Sequence, residues 1–408
     1  MINIIDKSKC CGCASCVQRC PKQCISLVAD DEGFFYPLID AAKCVDCGLC
    51  ERVCPELNIE APVKPQHVYA AINADTYIRL QSSSGGIFTP LASQIIASGG
   101  VIFGARFDSD WQVEISYTET IEGLQAFRGS KYVHARVGKS FSQCEQFLKQ
   151  GRIVLFSATP CIISGLLHYL NKKYANLLTV DLACHGVPSS LIWQKYLEET
   201  TAQRAVDGKS TVLSSLNAKS SIKDIKFREK TKGWKKYRFV LSFNEPSGDV
   251  EKSSVLSSIH SENPFFQAFN TGVILRPSCY TCTIKNSCRS GADITLADFW
   301  GIENVDPSLD DDKGTSLILV NSERGKDLID SLNLLTKEFP YDIALKYNNG
   351  LRVGSYKHPN RKFFFANYKK GKNVLPLLEK SIKPSFAMRI DRYIKAVRRR
   401  LVKMFRLS

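Results

Sequence analysis

The chain has 408 residues, of which 44% are hydrophobic and 23% charged, a composition typical of soluble globular proteins with two or three domains. The net charge of +15 is concentrated at one end, because residues 343–408 hold eighteen Lys and Arg against only two acidic residues. The first 342 residues are close to neutral, with 37 basic and 38 acidic side chains. This distribution argues against a general nucleic-acid-binding surface and indicates an anionic partner near the C-terminal end.

Two cysteine runs of identical spacing stand in the first 60 residues. Each reads Cys-x2-Cys-x2-Cys-x3-Cys-Pro, the bacterial ferredoxin pattern in which the fourth cysteine binds the other cluster. Zinc sites use two cysteine pairs rather than triplets with a distant Cys-Pro, so the pattern predicts two [4Fe-4S] clusters. The predicted ligands are Cys10, Cys13, Cys16 and Cys54 for one cluster and Cys44, Cys47, Cys50 and Cys20 for the other.

The segment between the two runs reads as strand, turn and strand, at 25–28 and 34–39. A hairpin there would bring the two runs together, as shared ligation requires. Cys11 and Cys24 fall outside both ligand sets, and we interpret them as small hydrophobic residues beside the clusters. A linker with two prolines, Pro62 and Pro65, then ends this part of the chain.

The second part of the chain opens with a predicted strand from Val68, followed by the serine- and glycine-rich segment Ser82–Gly86. An apolar periodic run at 87–96 predicts a helix whose N-terminus could hold a phosphate, although a serine N-cap and a turn would explain the same residues. The basic, aromatic turn 128–133 suits an anionic planar ligand or an ordinary surface loop. Alternating strand-like and helix-like segments predict an α/β sheet domain.

The uncharged stretch 153–170 approaches the length of a membrane-spanning helix, but Ser157, Pro160 and Gly165 are among the residues that interrupt it. We predict instead a strand at 153–156, a Thr-Pro-Cys turn and a short helix that begins at Gly165. The chain has sixteen cysteines, and its first residues lack the apolar core of a signal peptide. We therefore expect a cytoplasmic protein whose cysteines bind metal rather than form disulfides.

Further cysteines stand at Cys161, at Cys184, and in a Cys279-x2-Cys282 pair with Cys288 nearby. Together they supply enough thiolates for a third cluster, but single buried cysteines are commonly inert, and the residues alone leave both readings open. Segment 209–259 predicts an inserted hairpin with a strand at 237–243. A strand from 293 runs into a loop where Asp298 and Trp300 could line a ligand site, or where Trp300 could simply pack in the core.

The C-terminal tail predicts an amphipathic helix that begins after the N-cap Ser385, with apolar residues at helical spacing to Phe405. Basic residues flank this apolar face, a pattern typical of a helix that lies on an anionic membrane surface. A helix packed on the body would give the same pattern. The protein is therefore expected to be cytoplasmic, either free or peripheral to the inner face of the membrane.

Six ordered motifs in residues 68–335 together resemble the coenzyme F420 hydrogenase/dehydrogenase beta-subunit family. They are Ser82–Gly86, Ser130-Lys-Tyr, Thr159-Pro-Cys, Cys184-His-Gly-Val-Pro-Ser, Arg276-Pro-Ser-Cys-Tyr-x-Cys and Ala292-Asp-Ile-Thr-x-x-Asp-Phe-Trp-Gly. Three departures from the family are Ile162 in place of a frequent Gln, Ala297 in place of a common Gly, and the extra Cys288. These departures leave open which molecule would exchange a hydride with a protein of this family.

The resemblance implies an FAD-containing domain with an iron–sulfur cluster beside the flavin. It implies a third cluster on Cys161, Cys184, Cys279 and Cys282. Similar bacterial chains are often linked to polysaccharide synthesis. The implied flavin contacts are Ser82, Ser83, Ser84, Gly85, Gly86, Ser130, Lys131 and Tyr132, and Asp298 and Trp300 are candidates to line the same site.

The expected architecture is mixed α+β and α/β. It comprises a ferredoxin-like 2[4Fe-4S] domain at 1–60, a larger α/β flavin-binding domain with a mixed sheet at 66–340, and a basic extension with a helix at 341–408. The expected activity is that of an oxidoreductase passing electrons between the clusters and FAD, to or from a hydride-accepting substrate or deazaflavin-type cofactor. Its partner would be a redox protein or a small electron carrier. The alternatives are a non-catalytic electron-transfer subunit and a peripheral membrane or assembly protein whose clusters are structural.

Overall fold

The computed structural model describes residues 2–206, 221–245, 252–352 and 354–383. The amphipathic helix predicted after Ser385 lies outside the described residues, as does most of the segment before residue 221 in the predicted insertion. Across the described ranges, no helix is both long and apolar enough to cross a membrane.

The N-terminal region is built on an antiparallel hairpin of β1 (Ile25–Ala29) and β2 (Phe35–Ile39), which confirms the predicted strand, turn and strand. The Asp30 side chain accepts hydrogen bonds from the backbone N–H groups of Glu32 and Phe34, each at 3.0 Å, and so fixes the turn. Two short helices, α1 (Ser15–Arg19) and α2 (Leu49–Arg52), lie within the two cysteine runs and pack on each other. The hairpin thereby brings the two runs together.

The body of the protein is a mixed sheet of eight strands in the order β13-β3-β12-β11-β7-β6-β4-β5. Its four central strands, β4, β6, β7 and β11, are parallel, and antiparallel strands flank them on both sides. These strands are β3 (His67–Asn73), β4 (Val101–Phe107), β5 (Val113–Thr118), β6 (Val154–Ser157), β7 (Leu177–Leu182), β11 (Ile294–Asp298), β12 (Ser316–Val320) and β13 (Leu334–Glu338).

Helices cover both faces of this sheet, which explains the continuous apolar runs of its central strands. Along β6, Val154 and Phe156 face one core with helices α5 and α6, whereas Leu155 faces a second core with α4. The helices of the body are α3 (Thr76–Gln81), α4 (Phe88–Ala97), α5 (Ser140–Lys149), α6 (Pro160–Leu170), α7 (Ser190–Val206), α8 (Pro264–Asn270), α9 (Pro277–Tyr280), α10 (Ile302–Val305), α11 (Glu323–Asp330), α12 (Tyr341–Tyr347), α13 (Arg361–Tyr368) and α14 (Val374–Ile382).

Two local predictions are corrected by the structure. Helix α6 begins at Pro160, not at Gly165, because proline is well suited to the first turn of a helix, where its missing N–H is not needed. The Thr-Pro-Cys segment is therefore a helix start that places Cys161 in the first turn. The predicted inserted hairpin is a three-stranded antiparallel sheet of β8 (Ile222–Glu229), β9 (Arg238–Glu245) and β10 (Lys252–Ile259).

The N-terminal region packs directly on the body. The Ser15 hydroxyl donates to the Gly165 carbonyl at 2.9 Å, and Gln18 accepts from the backbone N–H of Phe141 at 3.1 Å. On the hairpin side, Arg361 forms a two-pronged ion pair with Glu32. These contacts hold the cysteine runs against helix α6 and the loops around it. The division of the chain at residues 60 and 340 stays a prediction.

Candidate functional site

The first thiol group comprises the four cysteines predicted to share one cluster, and the structure brings them together. Burial raises the pKa of Cys16, and negative charge on Cys13, Cys10 and Cys54 raises it further. Burial likewise raises the pKa of Cys54 to about 12, with Cys13 the next contributor. Cys13 and Cys16 come from the first run and Cys54 from the second, so the arrangement joins the two runs as cross-over ligation requires.

The second thiol group comprises Cys44, Cys47, Cys50 and Cys20. All four line one small cavity beneath the hairpin. Cys47 is exposed to solvent, whereas Cys50 is buried next to the first thiol group. Cys24 also lines this cavity, with its sulfur 3.4 Å from that of Cys20.

The third thiol group comprises Cys161, Cys184, Cys279 and Cys282, which come from distant parts of the body. Cys161 lies in the first turn of α6, Cys184 follows β7, Cys279 lies in α9, and Cys282 follows it. Burial raises the pKa of Cys184 to about 12. The positive charge of Lys285 lowers this pKa, whereas negative charge on Cys161 and Cys282 raises it. Burial and Cys184 together raise the pKa of Cys279. The structure thus gathers the four thiols that the family resemblance grouped.

The extra cysteines take different places. Cys288 packs in a separate core with Phe299 and Ile302. Cys11 is buried between the first and third thiol groups, where hydrogen bonds to the thiols of Cys13 and Cys161 raise its pKa. This position is compatible with our interpretation of Cys11 as a small apolar residue beside the clusters. Because Cys16 also interacts with Cys50, the three groups follow one another in the order second, first, third.

The donor set suits iron–sulfur clusters, whose properties depend on thiolate ligands, burial and hydrogen bonds to sulfur. Backbone N–H groups point at several of the sulfurs, among them that of Ile2 at Cys50 and that of Val187 at Cys279, each at 3.4 Å. One guanidinium nitrogen of Arg276 is buried against Gly12 without a hydrogen-bond partner, which leaves a donor for a further acceptor. Within the described ranges, no three His, Cys, Asp or Glu side chains are grouped tightly enough to hold a single metal ion.

A cavity of about 620 Å³ opens next to the third thiol group. Cys161 and Cys184 lie in its wall. The same wall contains nine of the ten residues predicted to contact a cofactor, namely Ser82, Ser83, Ser84, Gly86, Ser130, Lys131, Tyr132, Asp298 and Trp300. Two segments that are far apart in sequence, 82–86 and 128–132, therefore meet around one space of the size typical of ligand pockets.

Ser83 joins these two segments. Its hydroxyl oxygen accepts hydrogen bonds from the backbone N–H of Ser130 at 2.7 Å and from the Ser130 hydroxyl at 2.9 Å. Lys230 fixes the backbone around the segment 82–86. Its ammonium donates to the carbonyls of Arg79, Ser84 and Lys313 at 2.6, 2.9 and 2.7 Å. The shape of the wall is therefore fixed by the protein itself.

Gly85 is the one predicted contact that does not line the cavity. A Cβ atom at this position would lie 2.5 Å from the Ala71 carbonyl oxygen and 2.7 Å from the Ser316 backbone nitrogen. The Gly85 carbonyl also accepts from the Asn73 backbone N–H at 2.9 Å. Glycine is needed here because the loop is wedged between β3 and β12, a packing requirement rather than a ligand contact.

Asp298 and Trp300 lie in the part of the cavity wall where the inserted sheet meets the main sheet. Asp298 accepts from Arg228 at 2.6 Å and from the Trp234 indole N–H at 3.2 Å. Trp300 stacks on Trp234 with ring centroids 4.6 Å apart. Arg228 and Tyr237, both from the inserted sheet, complete this wall, and the guanidinium lies 4.6 Å from the centre of the Tyr237 ring.

Lys131 brings a titratable cation to the cavity. Its ammonium donates to the carbonyls of Arg128 and Gly129 at 3.1 and 3.3 Å. Burial lowers its pKa to about 7, because removal from water disfavours the charged form. An anionic ligand beside it would restore the charge.

No spacing motif marks Arg228, Lys230 and Tyr237 as site residues in the sequence, because they lie on or beside strands of the insertion. Arg276 stands within a sequence motif, but the motif does not indicate a role for it. Arg276 is buried because the N-terminal region packs against the body, and this packing is not evident from the sequence.

Two parts of the chain match known protein families. Residues 9–57 match the 4Fe-4S dicluster domain, so the chain is an iron–sulfur protein with a ferredoxin-like domain at its N-terminus within a mixed α/β fold. Residues 151–336 match the C terminus of the coenzyme F420 hydrogenase/dehydrogenase beta subunit. The chain is thus an iron–sulfur electron-transfer protein related to the beta subunits of that family, which confirms the resemblance.

One solved structure is similar to the chain over much of its length. It is a chain from the xenon-derivatised F420-reducing [NiFe] hydrogenase complex of Methanosarcina barkeri, with 19% sequence identity and a TM-score of 0.43. The match covers 77% of this chain and 92% of that one. No curated protein matches the chain.

Proposed function

We propose that the protein is an oxidoreductase that carries electrons between three [4Fe-4S] clusters and an FAD bound in the 620 Å³ cavity. The observation that supports this most strongly is the common wall, in which two cysteines of the third thiol group stand among the residues predicted to contact a flavin. A cofactor in the cavity would lie directly beside a cluster on those cysteines.

The order of the three thiol groups indicates the route that electrons would take through the protein. Cys47 of the second group is exposed, so electrons would be exchanged with a redox partner protein or small carrier on that side. The first group lies between the second and the third, and the third borders the cavity. Burial of the inner thiols excludes water and allows the protein to adjust cluster potentials.

Bound FAD would supply the exchange between single electrons on the cluster side and a hydride on the substrate side. The chain's own residues bind and orient it. The hydroxyls of Ser82 and Ser84 already donate to the carbonyls of Ile78 and Thr315. The segment 82–86 therefore offers the hydroxyl proton of Ser83 and its backbone to a pyrophosphate. Lys131 supplies a positive charge once an anion is present, and Tyr132, packed on Phe269 with ring centroids 4.7 Å apart, gives the wall a rigid aromatic surface.

The hydride partner would enter from the side of Asp298 and Trp300. A planar carrier such as a deazaflavin would find the indole ring of Trp300 there, and the buried ring of Trp234 supports it from the other face. Nothing in this wall favours a polysaccharide, so the proposal does not extend to glycan synthesis. The competing proposal, an electron-transfer subunit without a substrate of its own, shares the three clusters and differs in what the cavity binds.

The test is anaerobic purification of the full chain followed by counts of iron, sulfide and released flavin. Three cubanes predict about twelve iron atoms per chain, together with one FAD. Cys20→Ala and Cys54→Ala should each damage one N-terminal cluster, by the cross-over. Full iron without flavin, and no reduction of a small-molecule acceptor, would favour the subunit proposal. A chain that binds zinc and not iron would reject both.

A further inference from the structure

Arg276 belongs to the body of the protein, but its side chain ends in the N-terminal region. It immediately precedes α9, the helix that contains Cys279, and its backbone N–H donates to the Val187 carbonyl at 3.0 Å. From there its guanidinium donates to the Cys10 carbonyl at 2.7 Å and to the Phe35 carbonyl at 2.9 Å. One nitrogen also lies 3.5 Å from the Cys10 sulfur.

The guanidinium is enclosed completely, with 0% of the residue exposed. Its carbon lies 4.4 Å from the centre of the Tyr36 ring. The cysteine run closes over it at Gly12, where a Cβ would come within 3.0 Å of the guanidinium carbon and of one of its nitrogens. Gly12 also has a φ of +77°, so both space and backbone favour glycine there.

The charge partner of this cation is not a carboxylate of the described residues. Among the residues that the structure describes, no Asp or Glu lies within ion-pair distance of Arg276. Glu56 is close enough to interact with its charge only at longer range. A fully buried, unpaired guanidinium is unfavourable unless another negative charge offsets it. The atom nearest to it that can carry such a charge is the Cys10 sulfur, and its free nitrogen is a donor without an acceptor.

We propose that Arg276 is the countercharge of the cluster held by Cys10, Cys13, Cys16 and Cys54, and that it raises the reduction potential of that cluster above the value it would otherwise have. A cubane bound by four thiolates is negatively charged and gains one further negative charge when it takes up an electron. A buried cation beside it therefore stabilises the reduced form more than the oxidised form. Arg276 is a positioning and tuning residue, because it acts through the cluster.

The proposal rests on the ligand assignment of the proposed function. It adds a residue from the body that makes the middle cluster of the route easier to reduce. Because Arg276 is also next to the α9 segment with Cys279, its charge lies on the side of the first thiol group that faces the third.

The chain offers a matched control in Arg361. This arginine is also buried, with 8% of the residue exposed, and also reaches from the body to the N-terminal hairpin, but its partner is the Glu32 carboxylate instead of a cysteine. Replacing Arg361 removes an interdomain contact of similar kind without removing charge from Cys10. Any effect of loosened packing should therefore occur in both variants, whereas an effect of charge should occur only at Arg276.

The test is a redox titration of the anaerobically purified full chain with dithionite, followed by electron paramagnetic resonance and iron counting. Arg276→Gln should make one cluster harder to reduce by at least tenfold in the equilibrium constant, which is about 59 mV for one electron. Arg276→Lys, which keeps the charge, should shift it by less than half as much. Arg361→Gln should leave all cluster potentials unchanged.

An unchanged potential in fully loaded Arg276→Gln would overturn the proposal, as would an equal shift in Arg361→Gln. If Arg276→Gln loses the iron of one cluster, Arg276→Lys and Arg361→Gln should retain it, and loss in all three variants would show that packing is responsible. The unmutated chain distinguishes a failure of the proposed function from a failure of the role proposed for Arg276. If it shows no cubane signals, the proposed function fails, whereas normal signals with unaltered variants reject only the role of Arg276.

Discussion

The hydroxyl of Ser83 is the clearest point at which to test the cavity. It accepts two hydrogen bonds from Ser130 and so ties together the two segments predicted to hold the flavin. Ser83→Ala removes the acceptor and leaves the partly buried Ser130 N–H without a partner. Stranding a buried donor costs about 1–3 kcal/mol, and because Ser83 is only partly buried we assign about 1–2 kcal/mol to the bridge. Without the bridge the two segments have to be brought together when FAD binds, so we expect up to that loss of binding free energy, or about 5- to 30-fold weaker flavin binding at 1.4 kcal/mol per tenfold.

The assay is titration of flavin-depleted protein with FAD, followed by the change in flavin fluorescence. A suitable control is Ser322→Ala, which removes the side-chain cap of α11 on a part of the protein away from the cavity. That variant should lose about 1 kcal/mol of folding stability and bind FAD normally. Unchanged FAD affinity in Ser83→Ala, or an equal loss in Ser322→Ala, would show that the Ser83 bridge does not shape the binding site.

Three further predictions follow from the same sites. Cys282→Ser should lower the iron content by about a third and Cys288→Ser should not, and equal iron in both variants would remove the third cluster from these cysteines. Burial lowers the pKa of Lys131 to about 7, and a bound anion would raise it again. FAD affinity should therefore increase as the pH falls towards 7 and level off below 7. Lys131→Met should flatten this dependence, and a flat profile in the unmutated chain would contradict the assignment. The full chain should sediment with anionic liposomes at low salt and less at high salt, whereas a chain ending at Lys383 should stay in the supernatant; if both stay there, the tail does not bind membranes.

Local sequence signals predicted the parts of the fold that depend on local chemistry. The hairpin between the cysteine runs and the strand from Val68 carry alternating or continuous apolar patterns, and both are present. The start of α6 was misplaced because Pro160 was interpreted as a helix breaker, although at the first helical position it favours the helix. A third strand in the insertion was missed because its serine-rich sequence resembles a loop.

The candidate site was less accessible from sequence, because its residues meet only through tertiary contacts. Motif spacing could group the eight N-terminal cysteines, since the ferredoxin pattern is local. It could not show that Cys11 lies between two thiol groups, or that Gly85 packs against β3 and β12 instead of lining the cavity. The buried position of Arg276 depends on how two distant segments pack, which no local pattern encodes.

The most direct test of the electron route is the rate at which bound flavin is reduced through the clusters. The full chain, loaded anaerobically, would be mixed with a reduced ferredoxin-type donor protein in a stopped-flow instrument, and flavin absorbance would be followed. We expect fast flavin reduction in the unmutated chain and a rate at least about tenfold lower in Cys282→Ser, in which one thiolate ligand of the proposed third cluster is missing. Equal rates in the two proteins would mean that electrons reach the cavity without the third thiol group, and the proposed route would be wrong.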